Sequence, residues 1–205
     1  MAGEPAQVER HPWAPFLPDY TRVLMLGSFP PAPHRWCMAF FYPNYTNDMW
    51  RIFGLCLHQD KNWFVDEEHR TFRLERIIAM LRATGVGLYD TAVAVRRTRN
   101  TASDKDLEVV ETTDLDRLLA EAPECVAVVT TGQKATTLFA QHFGIMEPKV
   151  GESVAFKVGQ RELRLLRMPS SSRAYPMKVE RKAEYYQPLF EEYLKPYNNN
   201  NYQKL

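Results

Sequence analysis

The chain has 205 residues, 45% of them hydrophobic and 25% charged, and a formal net charge of +1 at pH 7. This length accommodates one domain with a sizeable core. The near-zero charge neither requires nor excludes a nucleic-acid partner, because binding depends on a local basic patch. No apolar run approaches twenty residues, and residues 1–16 lack the pattern of a signal peptide. We therefore expect no membrane span and a cytoplasmic protein, or a nuclear one where the cell has a nucleus.

The spacing of cysteines and histidines argues against a disulfide framework or a metal site. The three cysteines are far apart and form no Cys-x-x-Cys pair: Cys37, Cys56 and Cys125. Such a set predicts reduced, mostly buried thiols. Four histidines show no paired ligand spacing and are expected to be structural or on the surface: His34, His58, His69 and His142. We therefore expect no metal site.

The first strongly patterned stretch follows a Pro-rich, irregular segment, residues 1–20. The aromatic residues of that segment are expected to anchor it to the core: Trp13, Phe16 and Tyr20. Residues 23–26 are a short apolar run, typical of a strand buried on both faces. The sequence GSFPP at residues 27–31 can continue neither strand nor helix,. It predicts a rigid loop at the carboxyl end of the strand, where ligands bind in open α/β sheets.

Residues 40–50 then concentrate aromatic and amide side chains. They include Phe40, Phe41, Tyr42, Asn44, Tyr45, Asn47 and Trp50. A helix is predicted to begin at Asn47 or Asp48 and to run to about residue 58. So much aromatic surface beside a sheet edge favours the binding of a flat ligand.

The remaining chain alternates helices and strands. Helices are predicted over residues 67–84, 114–122 and 178–193, with a further helix after Gly132 that ends at Gly144; strands are predicted over residues 86–95, 126–130 and 163–166, the first of these as one strand or a strand plus a turn,. Gly85 is expected to end the first helix, and Thr113 or Asp114 to cap the second. The alternation predicts a doubly wound α/β fold with a mostly parallel sheet, followed by a polar tail at residues 196–205.

Two motifs at the ends of predicted core strands carry a family resemblance. The first comprises Gly27, Ser28, Phe29 and Pro30, followed by Phe41, Tyr42, Pro43, Asn47, Met49 and Trp50. The second is MPSSSRAYP, residues 168–176, with matches at Pro169, Ser170, Ser172 and Ala174. Further matches lie between them in order: Gly87, Leu88, Tyr89, Asp90, Arg96, Arg97, Ser103, Asp104, Gly132, Lys134 and Ala135. Together they resemble the uracil-DNA glycosylase superfamily, in the branch that contains the hypoxanthine-DNA glycosylases.

The resemblance implies a three-layer α/β/α sandwich with a central, mostly parallel four-stranded sheet, formed as one domain over residues 1–195. It implies a monofunctional DNA glycosylase of base-excision repair, which flips a deaminated base, uracil or hypoxanthine, and hydrolyses its N-glycosidic bond. The implied partner is DNA containing deaminated bases, with no cofactor, and we expect a monomer. Two other branches of the superfamily hold an iron–sulfur cluster on four cysteines, which this chain cannot supply.

The resemblance makes Asn47 the candidate catalytic residue. Glycosidic cleavage passes through an oxocarbenium-like sugar, and a carboxamide can orient the attacking water without itself titrating. Helix capping is the alternative, because Asn47 directly precedes a helical run and Asn is a favoured cap. The two roles are compatible only through different atoms of the side chain.

The resemblance also implies a base pocket. Its residues are Gly27, Ser28, Phe29, Phe41 and Tyr42. Ser28 and Phe29 are expected to contribute backbone amides, and Phe41 or Tyr42 to stack on the extruded base; the alternative for either ring is a place in the core under the loop. Asp90 is a further candidate, although an Asp at a strand end also suits a cap.

The serine-rich loop is expected to contact the DNA backbone through small side chains and N–H groups. Its candidate residues are Pro169, Ser170, Ser171, Ser172 and Arg173. The alternative is an ordinary Ser-rich turn. Arg96, in a basic cluster with Arg97 and Arg99, and Lys134 are further candidates for phosphate contact, for which the alternative is a solvated charged face.

Departures from the family pattern keep other functions open. They are Thr46, Thr131, Arg173 and Tyr175. They motivate a second hypothesis, a non-catalytic relative that binds nucleic acid. A small-molecule hydrolase acting on nucleosides is the third, which a requirement for polynucleotide would exclude.

Overall fold

A computed structural model describes residues 7–99 and 104–194. Ten strands and five α-helices lie within these ranges. In chain order they are β1 (Val8–Arg10), β2 (Val23–Gly27), α1 (Met49–His58), β3 (Val65–Asp66), β4 (Thr71–Phe72), α2 (Leu74–Thr84), β5 (Val86–Asp90), β6 (Ala92–Arg97), β7 (Leu107–Thr112), α3 (Leu115–Ala120), β8 (Ala127–Thr131), α4 (Gln133–Phe143), β9 (Ser153–Val158), β10 (Arg161–Met168) and α5 (Val179–Glu192). Ser103 and the predicted tail at residues 196–205 lie outside the described residues.

The central sheet has five strands in the order β5-β2-β8-β10-β9. The first four are parallel to their neighbours, and β9 pairs antiparallel with β10. The α/β fold with a mostly parallel sheet is therefore confirmed, and the count rises from four strands to five. Every residue of β2, β5 and β8 is buried, whereas β9 alternates between exposed and covered positions. That alternation suits an antiparallel edge strand, which a search for continuous apolar runs does not find.

The helices pack against this sheet, and α1 also packs against α5. The rings of Phe53 and Phe190 meet edge to face with centroids 4.9 Å apart, and the Cys56 thiol donates to the Ala183 carbonyl. None of the helices in the described ranges has the length and apolar character needed to cross a bilayer.

A second, antiparallel sheet has the order β1-β6-β7. Only Thr91 separates β5 from β6, and its N–H and hydroxyl both donate to the Gly27 carbonyl. The stretch predicted as one strand or a strand plus a turn therefore passes from the central sheet to the second one. β1 corrects the expectation that residues 1–20 are irregular, because Val8–Arg10 pairs with Ala94–Arg96 of β6.

Helix ends follow local chemistry more closely than helix starts. α2 begins at Leu74 and not at residue 67, because residues 65–72 form the β3–β4 hairpin. Gly85 and Gly144 adopt left-handed conformations, with φ of 79° and 62°, and end α2 and α4 as predicted,. Asp114 caps α3 by accepting a hydrogen bond from the Arg117 N–H at 3.0 Å,.

Candidate active site

A cleft of about 770 Å³ opens where the loops after β2, β5, β8 and β10 meet. Its lining includes residues 27–31, 41–44, 46–47 and 170–176, which are far apart in the chain. Other lining residues are Trp13, Asp90, Arg97, Asp104, Lys105, Leu107, Thr131 and Gln133. Parallel strands bring these loops to one sheet edge, so the two sequence motifs share a single cleft.

Asn47 lies in this cleft, two residues before the start of α1. Its side-chain Oδ1 accepts a hydrogen bond from the Met49 N–H at 2.9 Å, and its own N–H donates to the Asn44 carbonyl at 2.8 Å. The oxygen therefore has the capping role that the alternative interpretation predicts, although Asp48 is the residue at the N-cap position. No described residue accepts from the Asn47 Nδ2 amide, which leaves that group available in the cleft.

Gly27 and Asp90 pack too closely for any side chain at position 27. A Cβ atom built on Gly27 would lie 2.4 Å from Asp90 Oδ1. Asp90 is buried, and its Oδ2 lies 2.9 Å from His11 Nε2, while its carbonyl accepts from the Thr113 hydroxyl at 2.6 Å. No described residue donates to Oδ1. Asp90 therefore lies at the edge of the base pocket predicted from the sequence, and does not serve there as a helix cap.

The GSFPP loop is held by a second carboxylate. Ser28 donates its hydroxyl hydrogen to Asp104 Oδ1 at 2.6 Å. Burial raises the pKa of Asp104 above its ordinary value, against the opposing effects of the Ser28 hydrogen bond and the Lys134 charge. Phe29 packs edge to face on His11 with centroids 5.5 Å apart. The Phe29 N–H donates to no acceptor in the described part of the chain, consistent with its expected use in the base pocket.

Phe41 and Tyr42 both line the cleft, but Phe41 is buried whereas Tyr42 is half-buried. Phe41 is 3% exposed and packs against Trp13 and His11. Tyr42 has a φ of 51°, a strained value for a residue with a large side chain,. Its hydroxyl lies 3.4 Å from Thr131 Oγ1. Burial, and secondarily the Asp90 charge, raise the pKa of Tyr42 well above its ordinary value, so its hydroxyl stays protonated.

The serine loop is tied to the start of α1 and to α5. Lys182 is fully buried, and its Nζ donates to Asp48 Oδ2 at 2.9 Å and to the Ser172 carbonyl at 2.8 Å. The Asp48 N–H donates to the Ser171 carbonyl at 2.9 Å, and Arg173 Nη2 donates to Asp48 Oδ1 at 2.9 Å. These contacts hold the loop directly beside Asn47.

The other end of the loop is fixed by Tyr186, whose hydroxyl donates to the Pro169 carbonyl at 3.0 Å. Ser170, Ser171 and Ser172 all line the cleft. Pro169 is buried behind it. The five candidate residues of this loop thus divide into four at the cleft surface, including Arg173, and one in support.

The structure does not place Arg96 or Lys134 in the cleft lining. Arg96 lies on β6 and pairs with Glu108 at 3.2 Å. Lys134 donates to the Leu107 carbonyl. Arg97 does line the cleft, where it pairs with Glu9 at 2.9 Å and donates to the Pro30 carbonyl at 2.6 Å. A run of arginines in sequence did not reveal which of them faces the site, because neighbouring residues of a strand point to opposite faces.

Two buried residues that support the site from outside the cleft lining were missed from the sequence, and Trp13, which lines the cleft, was expected only to anchor the N-terminal segment. His11 has no motif around it, so no signal was available. For Lys182 a signal was available. With Tyr186 and Leu189 it follows the i, i+4, i+7 spacing of an apolar helix face, and a lysine on such a face indicates a buried partner,.

The thiols and acidic groups give no sign of a metal centre in the described residues, where no three or more His, Cys, Asp or Glu side chains form a cluster able to hold an ion. The cysteines are free; Cys125 is buried, and the other two, Cys37 and Cys56, are half-buried.

Comparisons with known proteins bear on the fold. No protein-family model and no curated protein sequence matches this chain. Among solved structures, the chain is similar to the solution NMR structure of a protein from Methanosarcina acetivorans that is described as a candidate uracil DNA glycosylase. The two are 20% identical with a TM-score of 0.58, and the match covers 90% of this chain and 97% of that one. At this identity the chain shares with that protein a fold, the one that the sequence motifs also indicate.

Proposed function

We propose that this protein is a DNA glycosylase that extrudes a deaminated base and hydrolyses its N-glycosidic bond. The proposal rests on one observation. Asn47 and the serine loop line the same cleft, at the edge of the sheet where the GSFPP loop begins. The shared fold with a candidate uracil DNA glycosylase supports it.

In the proposed reaction the bond from C1′ to the base nitrogen breaks first, leaving an oxocarbenium-like sugar and an anionic base. The Asn47 Nδ2 amide donates a hydrogen bond to the oxygen of a water molecule. This bond orients the water so that a second lone pair of its oxygen points toward C1′. The water oxygen forms the new bond to C1′, and its proton passes to solvent. The cationic sugar is reactive enough to accept neutral water, so Asn47 acts by position and need not take a proton.

The chemistry of the pocket fits a deaminated base. Deamination replaces an amino group with a carbonyl and converts the adjacent ring nitrogen from an acceptor to an N–H donor. In this proposal the Phe29 N–H, which has no described acceptor, donates to such a carbonyl and stabilises charge on the leaving base. Asp90 Oδ1 is an acceptor with no described donor, and suits the new ring N–H. Uracil and hypoxanthine share both features, and both remain candidate substrates.

The serine loop is assigned to the DNA backbone in this proposal. Its small side chains at Ser170, Ser171 and Ser172 permit close approach of a phosphate. The Arg173 side chain is 57% exposed, and its Nε and Nη2 both donate to Asp48 Oδ1. Arg173 can therefore reach a phosphate at little cost, because Lys182 continues to neutralise Asp48.

Cleavage of labelled oligonucleotides containing uracil, hypoxanthine or xanthine tests the proposal. Asn47→Ala removes both the cap and the amide, whereas Asn47→Ser keeps a cap acceptor for the Met49 N–H and removes only the amide. We expect abasic product from the natural chain and a loss of about 100-fold or more in single-turnover rate for both variants. Asp114→Ala, which removes the α3 cap outside the cleft, is the matched control and should cleave normally.

A purely capping role for Asn47 would instead give full activity in Asn47→Ser and a loss of stability alone in Asn47→Ala. A second function is favoured by one observation: Asn47 Oδ1 is already committed to the Met49 N–H. On that basis the chain could bind nucleic acid without catalysis. DNA binding by the natural chain, with no abasic product from any of the three bases in single or double strands, would establish this second function and refute the first.

A further inference from the structure

The N-terminal segment, residues 7–20, runs from the second sheet to the central sheet past the mouth of the cleft. β1 fixes its beginning to β6. Phe16 fixes its middle, because its N–H and carbonyl pair with those of Leu88 at 3.0 and 2.8 Å. Between these two attachments Trp13 reaches the cleft and forms part of its lining.

Trp13 is held in place through His11. The His11 side chain is 2% exposed, and its Nε2 lies 2.9 Å from Asp90 Oδ2. Its Nδ1 lies 2.8 Å from the Trp13 carbonyl oxygen and 3.2 Å from the Trp13 nitrogen. A buried histidine therefore connects the backbone of Trp13 to the carboxylate at the edge of the base pocket, and this restrains the backbone that carries the indole.

Trp13 also has the open aromatic surface that Phe41 lacks. Phe41 is 3% exposed, so little of its ring is available for stacking. Trp13 is half-buried and packs on Phe41 and Trp36 with ring centroids 5.4 and 4.8 Å away. The Trp13 Nε1–H is not buried and donates to no described acceptor. The neighbouring Trp36 indole, by contrast, donates to the Pro31 carbonyl at 2.6 Å.

We propose that Trp13 is a substrate-binding residue that stacks on the extruded nucleobase. An indole face pre-fixed in the cleft provides flat apolar surface at little entropic cost, and every nucleobase has a face that can use it. A base stacked and paired inside a duplex presents no free face, so the ligand proposed for this surface is an unpaired base. Since the substrate is that of the proposed glycosylase, this role depends on the proposed function.

The test compares Trp13→Ala with Trp13→Phe and with the control variant Trp63→Phe. Binding is measured by fluorescence anisotropy on an oligonucleotide carrying 2′-fluorinated deoxyuridine, because the fluorine disfavours an oxocarbenium-like sugar and slows cleavage. We expect Trp13→Ala to raise the dissociation constant about 5- to 150-fold, and Trp13→Phe to retain most of the affinity. Trp63→Phe, the same change at a half-buried tryptophan that stacks on His58 outside the cleft lining, should bind normally.

Cleavage assays on the same variants separate this inference from the proposed function. In the cleavage of uracil-containing DNA, loss of stacking should raise KM by a similar factor and leave kcat within a few-fold. A melting temperature of Trp13→Ala near that of the natural chain excludes misfolding as the cause of its loss of affinity.

An active natural chain whose Trp13→Ala variant binds and cleaves equally well would overturn the stacking role and leave the glycosylase intact. Equal losses in Trp13→Phe and Trp13→Ala would also overturn it, because they would assign the effect to the indole N–H. An inactive natural chain would refute the proposed function, and the binding comparison would then decide by itself whether Trp13 stacks on bases.

Discussion

Replacing Lys182 with methionine should destabilise the protein strongly, although methionine fits the same volume. Lys182 is fully buried, and its ammonium bonds Asp48 Oδ2 at 2.9 Å and the Ser172 carbonyl at 2.8 Å. Methionine can make neither bond, so a carboxylate with 5% side-chain exposure loses its buried counter-charge.

The expected loss in the free energy of unfolding depends on which partners Asp48 keeps in the variant. Removing one partner of a buried ion pair typically costs about 3–5 kcal/mol. Arg173 still bonds Asp48 Oδ1 at 2.9 Å, from a side chain that is 57% exposed. We therefore expect the lower end, a loss of about 3 kcal/mol in the free energy of unfolding. For a domain of this size, that loss lowers the melting temperature by about 6–12 °C.

Urea denaturation of three variants checks this value. Lys182→Met should show the full loss, and adding Asp48→Asn should recover much of it, because the double variant buries no unpaired charge. Lys178→Met, at an exposed lysine just before α5, should stay within about 0.5 kcal/mol of the natural chain. A loss below about 1 kcal/mol in Lys182→Met, or a double variant no more stable than the single one, would show that the buried pair does not have the assigned role.

Two further predictions follow from burial. Burial raises the pKa of Cys56 to about 12 and of Cys125 to about 11, so iodoacetamide at pH 8 should leave both thiols unmodified in the native protein and label both in urea. Burial lowers the pKa of His58 to about 4, so the unfolded chain binds a proton that the native chain does not. The free energy of unfolding should be highest above about pH 6.5 and fall by roughly 1 kcal/mol on acidification toward pH 4, a value that allows for solvent screening. His58→Gln should remove this part of the pH dependence of stability.

Sequence reasoning located the cleft because its main loops obey local rules. Apolar runs identify β2 and β8 as buried strands, and Gly and Pro directly after β2 end it,. Ligand sites in parallel sheets lie at the carboxyl ends of strands. The position of Asn47 before a helix and that of the serine loop after the last strand are consequences of the same rules.

Sequence reasoning failed where a contact is made across long separations and without a local pattern. β1 is three residues long and its pairing with β6 spans more than eighty positions. His11 reaches Asp90 by the same connection. Short strands and single buried polar side chains have no periodicity to detect, so only tertiary packing identifies them.

The hydrogen bonds around Asn47 explain why its neighbours are as important to its proposed role as its own side chain. In its proposed role Asn47 uses the Nδ2 amide while Oδ1 accepts from the N–H of Met49, the first residue of α1. Asp48 fixes this start by bonding the serine loop through its backbone and Lys182 through its carboxylate. A shift of the loop would therefore turn the amide away from the cleft even in a chain that keeps Asn47. Catalytic groups are effective only when held close to the productive geometry. For the proposed role of Asn47, the buried Lys182 provides that restraint from outside the cleft, through Asp48 and the Ser172 carbonyl.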